Sequence, residues 1–243
     1  MPSQTSLLLL CALLALFLLS NIAAIVFGKP SPDRTRHAIP WLQRSTSLQL
    51  AMMAWLFWGF GARQTTLAMY ALLIAIGMSL SFVADLIMAE MIRLPNRVLG
   101  GIVVFGAAHL FYIAAFLSGG ASLGLWRPDL WIGSALFWLP VGVAVWYRWV
   151  RHPSLAPLSN TSSLGYTLLI VVMVAGAGAL ALADGRLWLP LGGAFLFLIS
   201  DTILGNQIFH RHDWPYVSEV VWATYSFGQA GIVWSVFLAL RLL

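Results

Sequence analysis

The stretch Gly77-Met-Ser-Leu-Ser-Phe-Val-Ala-Asp85-Leu-Ile-Met places a carboxylate inside a run of apolar residues. A second stretch of the same kind, Gly193-Ala-Phe-Leu-Phe-Leu-Ile-Ser-Asp201-Thr-Ile-Leu, follows later in the chain. A charged side chain at the depth of the hydrocarbon core costs roughly 2.5–3.5 kcal/mol on insertion scales. Two such residues therefore indicate a membrane protein whose helices carry a functional site.

The composition supports this class. Of the 243 residues, 60% are hydrophobic and only 9% are charged, whereas a soluble domain has about 25% charged residues. Twelve Trp and six Tyr suit the aromatic belts at the two faces of a membrane. The sequence predicts an all-α fold, a polytopic transmembrane bundle in a single domain over residues 1–243.

Eight apolar segments are long enough, or nearly so, to span a bilayer, which takes about 20 residues in a helix. The first segment lacks the basic start and the small-residue cleavage site of a signal peptide, so we expect it to be retained. The second is the shortest. The predicted helices cover residues 5–27, 46–61, 66–89, 97–117, 129–149, 162–183, 187–209 and 216–241.

The distribution of basic residues predicts the orientation of the helices. Nine Lys and Arg residues lie in the odd-numbered loops, and four lie on the other side of the predicted bundle. Because cytoplasmic loops are enriched in Lys and Arg, we expect the odd loops to be cytoplasmic and both termini to be outside. The expected location is the inner membrane of a bacterium.

An internal repeat relates the two acids. An offset of 116 residues places Asp85 on Asp201 and His109 on Tyr225. The same offset places Arg44-Ser-Thr-Ser-Leu on Asn160-Thr-Ser-Ser-Leu. This pattern predicts that helices 2–4 are duplicated as helices 6–8, with an axis along the membrane normal that could bring the two acids together.

Several polar residues accompany the acids at helical spacing. Ser81 lies one turn before Asp85 on the same helix face, which predicts a hydrogen bond between them, and Ser200 adjoins Asp201. Each could instead be a structural polar residue that hydrogen-bonds within the bundle. The remaining candidates for proton handling or substrate binding are His109 and Tyr112 in the fourth segment and Tyr225 and Gln229 in the eighth.

Other features limit the range of partners and cofactors. Arg44 at the start of the second segment could bind a lipid phosphate or simply set topology.

Cys11 has no cysteine partner, and no Cys/His cluster has the spacing of a zinc site. We expect no metal and no cofactor. The net charge of +5 comes without an aromatic-basic patch, so we expect membrane lipids and not nucleic acid as partners. The oligomeric state is left open.

These motifs, together with Phe105-Gly-Ala-Ala-His109-Leu-Phe-Tyr112 and Tyr225-x-x-x-Gln229, resemble the YhhN-like lysoplasmalogenase family from about Arg44 to the C-terminus. The resemblance implies an eight-helix membrane enzyme that hydrolyses the vinyl ether bond of lysoplasmalogens to a fatty aldehyde and a glycerophospho-base. This sequence departs from the family pattern at Ala84, where glycine is usual, and at Arg44-Ser45, where Lys-Pro is common.

Two functions remain open at this point. In the first, Asp85 and Asp201 are the acid/base pair of a lysoplasmalogenase-like hydrolase, since vinyl ether hydrolysis needs a proton donor and a carboxylate but no metal or serine nucleophile. The logic is similar to that of the carboxylate pair in glycosidases. In the second, the same carboxylates act as a relay in a proton-coupled transporter or a lipid-binding membrane protein.

Overall fold

Eight α-helices form the described part of the chain. The computed structural model describes residues 4–154 and 156–243, with side chains from residue 8 onward. π-helical turns at Phe57–Ala62 and Trp146–Val150 extend the second and fifth helices, and a 3-10 turn at Gly185–Leu187 precedes the seventh. The helices are α1 (Gln4–Val26), α2 (Pro40–Leu56), α3 (Ala68–Met88), α4 (Arg97–Ser122), α5 (Pro128–Val145), α6 (Pro157–Ala183), α7 (Trp188–His210) and α8 (Val217–Leu240).

Within the described residues, seven segments are long and apolar enough to cross a membrane. The protein is therefore a multi-pass membrane protein. The exception is α2, which has 17 residues. The prediction that this helix begins at residue 46 was wrong, because it begins at Pro40, where the fixed φ of proline suits the first helical turn. Its early turns carry polar residues that point into the bundle, so hydropathy alone reads them as loop.

Helix packing follows the same order in the two halves. The pair α3–α4 packs closely and so does the pair α7–α8, while α2 packs on α3 and α6 packs on α7. The outermost helices, α1 and α5, pack on α2 and α6. A duplication would produce this arrangement, and the duplication itself remains a prediction.

Glycines allow the close approach within each pair. A Cβ atom on Gly193 of α7 would lie 2.6 Å from the carbonyl oxygen of Gly228 on α8. In the first half, a Cβ atom on Gly77 of α3 would lie 2.6 Å from the ring of Tyr112 on α4. The offset of 116 residues relates these two contacts to each other. Small residues of this kind let membrane helices pack backbone to backbone.

The loop before α2 is fastened to the start of α8. Glu219 Oε1 accepts the backbone N–H of His37 at 2.7 Å and that of Ala38 at 2.9 Å. The backbone N–H of Tyr216 donates to the carbonyl of Arg34 at 2.9 Å. Glu219 therefore holds this basic loop over one end of the bundle.

Candidate functional site: two aspartates on one cavity

Asp85 lies in the last turn of α3, where two hydroxyl groups converge on it. Tyr225 Oη of α8 donates to Asp85 Oδ2 at 2.7 Å, and Ser47 Oγ of α2 donates to the same oxygen. Asp85 is half-buried. The contact with Tyr225 joins the two predicted repeats, since Asp85 lies in the first and Tyr225 in the second. The offset of 116 residues pairs Tyr225 with His109 and not with Asp85.

Asp201 lies about two and a half turns before the end of α7. Tyr166 Oη of α6 donates to Asp201 Oδ2. The same hydroxyl lies 3.3 Å from His109 Nε2, so His109 reaches Asp201 only through Tyr166. Asp201 is half-buried, whereas His109 is fully buried.

The two acids thus have related surroundings. Each accepts a hydrogen bond from the first helix of its own half, α2 for Asp85 and α6 for Asp201. The last helix of the other half contributes as well: α8 contacts Asp85 directly through Tyr225, and α4 contacts Asp201 indirectly through His109. Among the described residues, Asp85 has two direct donors and Asp201 has one.

A second polar layer lies deeper in the bundle than the acids. Tyr112 Oη donates to Gln229 Oε1 at 2.7 Å, and the hydroxyl of Ser81 lies 3.5 Å from that of Tyr112. The predicted hydrogen bond between Ser81 and Asp85 is therefore wrong, since Ser81 faces α4. Gln229 is fully buried, and its Nε2 has no hydrogen-bond partner among the described residues.

Two donors to the acids were missed in the sequence, and one candidate belongs elsewhere. Ser47 stands in the repeated Arg44-Ser-Thr-Ser motif, so the repeat itself was a signal for it. Tyr166 has no counterpart in the first repeat, where Leu50 occupies the related position, and only its hydroxyl in an apolar helix could have drawn attention. Ser200 donates to the backbone carbonyl of Val221 at 2.9 Å, which fastens α7 to α8.

Both acids line one cavity of about 540 Å³. It lies at the end of the bundle where the odd-numbered loops meet, between the ends of α3 and α7 and the starts of α2, α4 and α8. Arg97 of its rim is paired with Glu90 at 2.7 Å. Among the described residues, the other rim arginines have no carboxylate partner within ion-pair distance. The rim arginines are Arg36, Arg44, Arg97 and Arg211.

A smaller apolar pocket adjoins the cavity. It holds about 70 Å³ and lies between α4, α6 and α7. Asp201 lines both spaces, whereas Asp85 lines only the larger cavity. The arginine rim, the pair of carboxyl groups and the apolar pocket therefore follow one another in space. No group of three His, Cys, Asp or Glu side chains placed to hold a metal ion occurs in residues 4–154 and 156–243.

Comparison of the sequence with family models identifies the family of this chain. The model of the YhhN family matches residues 39–236, a range that contains both acids and every hydroxyl that donates to them. The chain belongs to the YhhN family. The resemblance inferred from the motifs is thereby confirmed. No curated protein and no solved structure matches the chain.

The region matched to the YhhN family covers helices α2 to α7 and nearly all of α8. It leaves out α1 and most of the basic loop that supplies Arg36. The two aspartates, Arg44, and the deeper Tyr112–Gln229 contact all lie inside the matched region. The candidate site is therefore built almost entirely from residues that the YhhN family model matches.

Proposed function

We propose that the protein is an integral membrane hydrolase that cleaves the vinyl ether bond of lysoplasmalogens, with Asp85 and Asp201 as its acid/base pair. The observation that carries this proposal is that both carboxyl groups line one cavity whose rim is cationic. A lysoplasmalogen has an anionic phosphate, a vinyl ether a few bonds away, and then a hydrocarbon chain. The order of groups in the site matches that order.

The reaction requires one proton donor, one carboxylate and one water molecule. The donor protonates the chain-side carbon of the double bond, which leaves an oxocarbenium ion between the other carbon and the ether oxygen. Water attacks that carbon and gives up a proton to the carboxylate, forming a hemiacetal. The hemiacetal hydroxyl then gives its proton to the first acid, which is now ionised, while the bond to the glycerol oxygen breaks and that oxygen takes the proton held by the second acid. This restores both acids and releases a fatty aldehyde and a glycerophospho-base. This use of two carboxyl groups parallels that of glycosidases.

The hydrogen bonds suggest which acid has which role. Donors to a carboxyl group favour its ionised form, and Asp85 has two donors where Asp201 has one. We therefore assign the carboxylate that activates water to Asp85 and the proton donor to Asp201. The position of Asp201 between the cavity and the apolar pocket also puts it nearer the chain-side carbon.

The rim arginines suit the phosphate of the substrate. Arg44 stands at the cavity mouth on α2, and Arg36 and Arg211 reach the same mouth from two loops. Guanidinium groups bind phosphate through paired hydrogen bonds. The basic residues predict that the odd loops are cytoplasmic, and in that orientation the substrate enters from the cytoplasmic leaflet. The expected membrane is the inner membrane of a bacterium.

The test is release of fatty aldehyde from a lysoplasmalogen by the purified protein. We expect Asp85→Asn and Asp201→Asn each to lower the rate of release by about 10²- to 10⁴-fold, the usual contribution of general acid–base catalysis. Asp129→Asn is the control, because Asp129 lies exposed at the start of α5 in a pair with Arg127, and it should keep full activity. Full activity in either folded site variant removes that residue from the mechanism. Substrate-dependent proton flux without any product would instead support the transporter alternative.

Added formate separates the two roles. In Asp85→Asn the formate anion can replace the missing carboxylate, so rescue should persist at pH values where formic acid is ionised. In Asp201→Asn the missing group is a proton donor, so rescue should require formic acid and vanish as the pH rises. The opposite pattern would exchange the roles of the two aspartates.

A further inference from the structure

The apolar pocket beside Asp201 is a cleft between α4 and α7, with α6 behind it. Gly101 and Phe105 line it from α4, Gly205 and Ile208 from α7, and Ile170 from α6. Glycine on each facing wall keeps the space free of side chains at those positions. A Cβ atom on Gly205 would lie 3.3 Å from Val150, which also lines the cleft.

The cleft exists because the two halves pack differently at one place. The offset of 116 residues relates the α4–α7 pair to the α8–α3 pair. The backbones of α8 and α3 approach each other at several positions. The backbones of α4 and α7 make few close approaches, and these helices meet through the rings of His109 and Phe197, whose centres are 4.8 Å apart. Below these rings, toward the odd-loop end, the helices leave the cleft between them.

The cleft is continuous with the cavity and reaches the outside of the bundle. Asp201, Phe105, Leu204 and two further residues line both spaces. Ile102 and Thr202, which line the cleft, are partly exposed, so this side of the cleft lies at the outer surface of the bundle. An apolar opening at this place would be filled by hydrocarbon in a bilayer.

We propose that this cleft is a lateral entrance that holds the hydrocarbon chain of the lysolipid substrate, an inference that rests on the proposed function. With the phosphate at the arginine rim and the chain between α4 and α7, the vinyl ether lies beside Asp201 and Asp85. The chain then stays in an apolar environment throughout entry, because it moves sideways from the bilayer and never passes through water. The arrangement makes the residues of the cleft determinants of chain specificity.

The experiment compares lysoplasmalogens that share one headgroup and carry either a short or a long alkenyl chain. Gly205→Leu fills the cleft, so kcat/KM for the long chain should fall by about tenfold or more, since each methylene that loses its buried position is worth roughly a factor of four. The short chain should change by less than about twofold. Ile102→Phe, which narrows the opening at a half-exposed position, provides a second variant that does not press on the helix packing.

Gly192→Leu is the matched control on α7. A Cβ atom on Gly192 would have only the ring of Trp188 within 4 Å, at 3.7 Å, and Gly192 does not line the cleft. It should leave both substrates unaffected. Equal losses for both chain lengths, or an unchanged chain preference in Gly205→Leu and Ile102→Phe, would overturn the lateral entrance. Failure of the wild-type protein to release aldehyde from either substrate would overturn the proposed function instead.

Discussion

Removing the hydroxyl group of Tyr225 should slow the reaction while the packing of the aromatic ring in the site is kept. The hydroxyl donates to Asp85 Oδ2 at 2.7 Å, and Ser47 donates to the same oxygen. In Tyr225→Phe the ring can keep its packing against Phe105 and Phe197, whose centres lie 5.9 and 5.3 Å away. The variant therefore removes one hydrogen bond to a carboxylate and little else.

The size of the effect follows from the strength of that bond. A hydrogen bond to a charged group contributes about 1.5–3 kcal/mol, which corresponds to a loss of roughly 10- to 150-fold in rate. The assay is kcat for aldehyde release by protein in lipid nanodiscs. Tyr147→Phe is the control, since Tyr147 is 63% exposed and does not line the cavity, and its rate should equal that of the wild type.

A double variant tests whether the effect passes through Asp85. Once Asp85→Asn has removed the carboxylate, loss of the Tyr225 hydroxyl should cause no further decrease in the residual rate. Independent, additive losses would show that Tyr225 acts on something other than Asp85. A wild-type rate in folded Tyr225→Phe would refute the reasoning that this hydroxyl supports catalysis by Asp85.

Three further predictions concern other parts of the site and the fold. Tyr166→Phe should move the upper pH limit of kcat to higher pH, because Asp201 loses a donor that favours its ionised form; an unchanged pH profile would contradict this. Arg44→Gln should raise KM by about tenfold with little change in kcat, as expected for a contact to phosphate that is the same in ground and transition states; a selective loss of kcat would argue against phosphate binding. Gly193→Ala should lower the free energy of unfolding by about 1–3 kcal/mol, seen as a lower melting temperature in detergent, because its Cβ atom would clash with Gly228; an unchanged melting temperature would show that α7 and α8 can move apart freely.

The sequence predicts the helical class well because apolar length is a local property. Seven spans could be read directly from runs of apolar residues, and their ends agree with the structure to within a few residues in most cases. The second helix escaped this reading at its start. Polar residues such as Gln43, Thr46 and Ser47 are buried there and face the interior of the protein, so hydropathy reports them as loop.

Contacts between helices were harder to predict than the helices. The offset of 116 residues pairs Asp85 with Asp201, and both line the same cavity; the duplication stays a prediction and the catalytic roles a proposal. The spacing of Ser81 from Asp85 suggested a hydrogen bond, because only positions along one helix can be compared in a sequence. The structure shows that Ser81 faces Tyr112 on the neighbouring helix.

Partners from distant helices carry no local signal. Tyr166 is 35 residues from Asp201, and Tyr225 is 140 residues from Asp85. Which of many polar residues meets which acid depends on how α6 and α8 are placed, and pattern within one helix does not determine this. The offset of 116 residues pairs Tyr225 with His109 and gives no sign that its hydroxyl meets Asp85.

The most direct test of the account is hydrolysis of a lysoplasmalogen in D₂O by the wild-type protein, Asp85→Asn and Asp201→Asn, with the aldehyde analysed by mass spectrometry. Protonation of carbon by an acid in exchange with solvent puts one deuterium on the carbon next to the aldehyde group. We expect singly deuterated aldehyde from the wild type and only a small residual amount from either folded variant in the same time. Aldehyde released at the wild-type rate by both variants, or wild-type product without deuterium at that carbon, would contradict the assignment of the two aspartates as the acid/base pair.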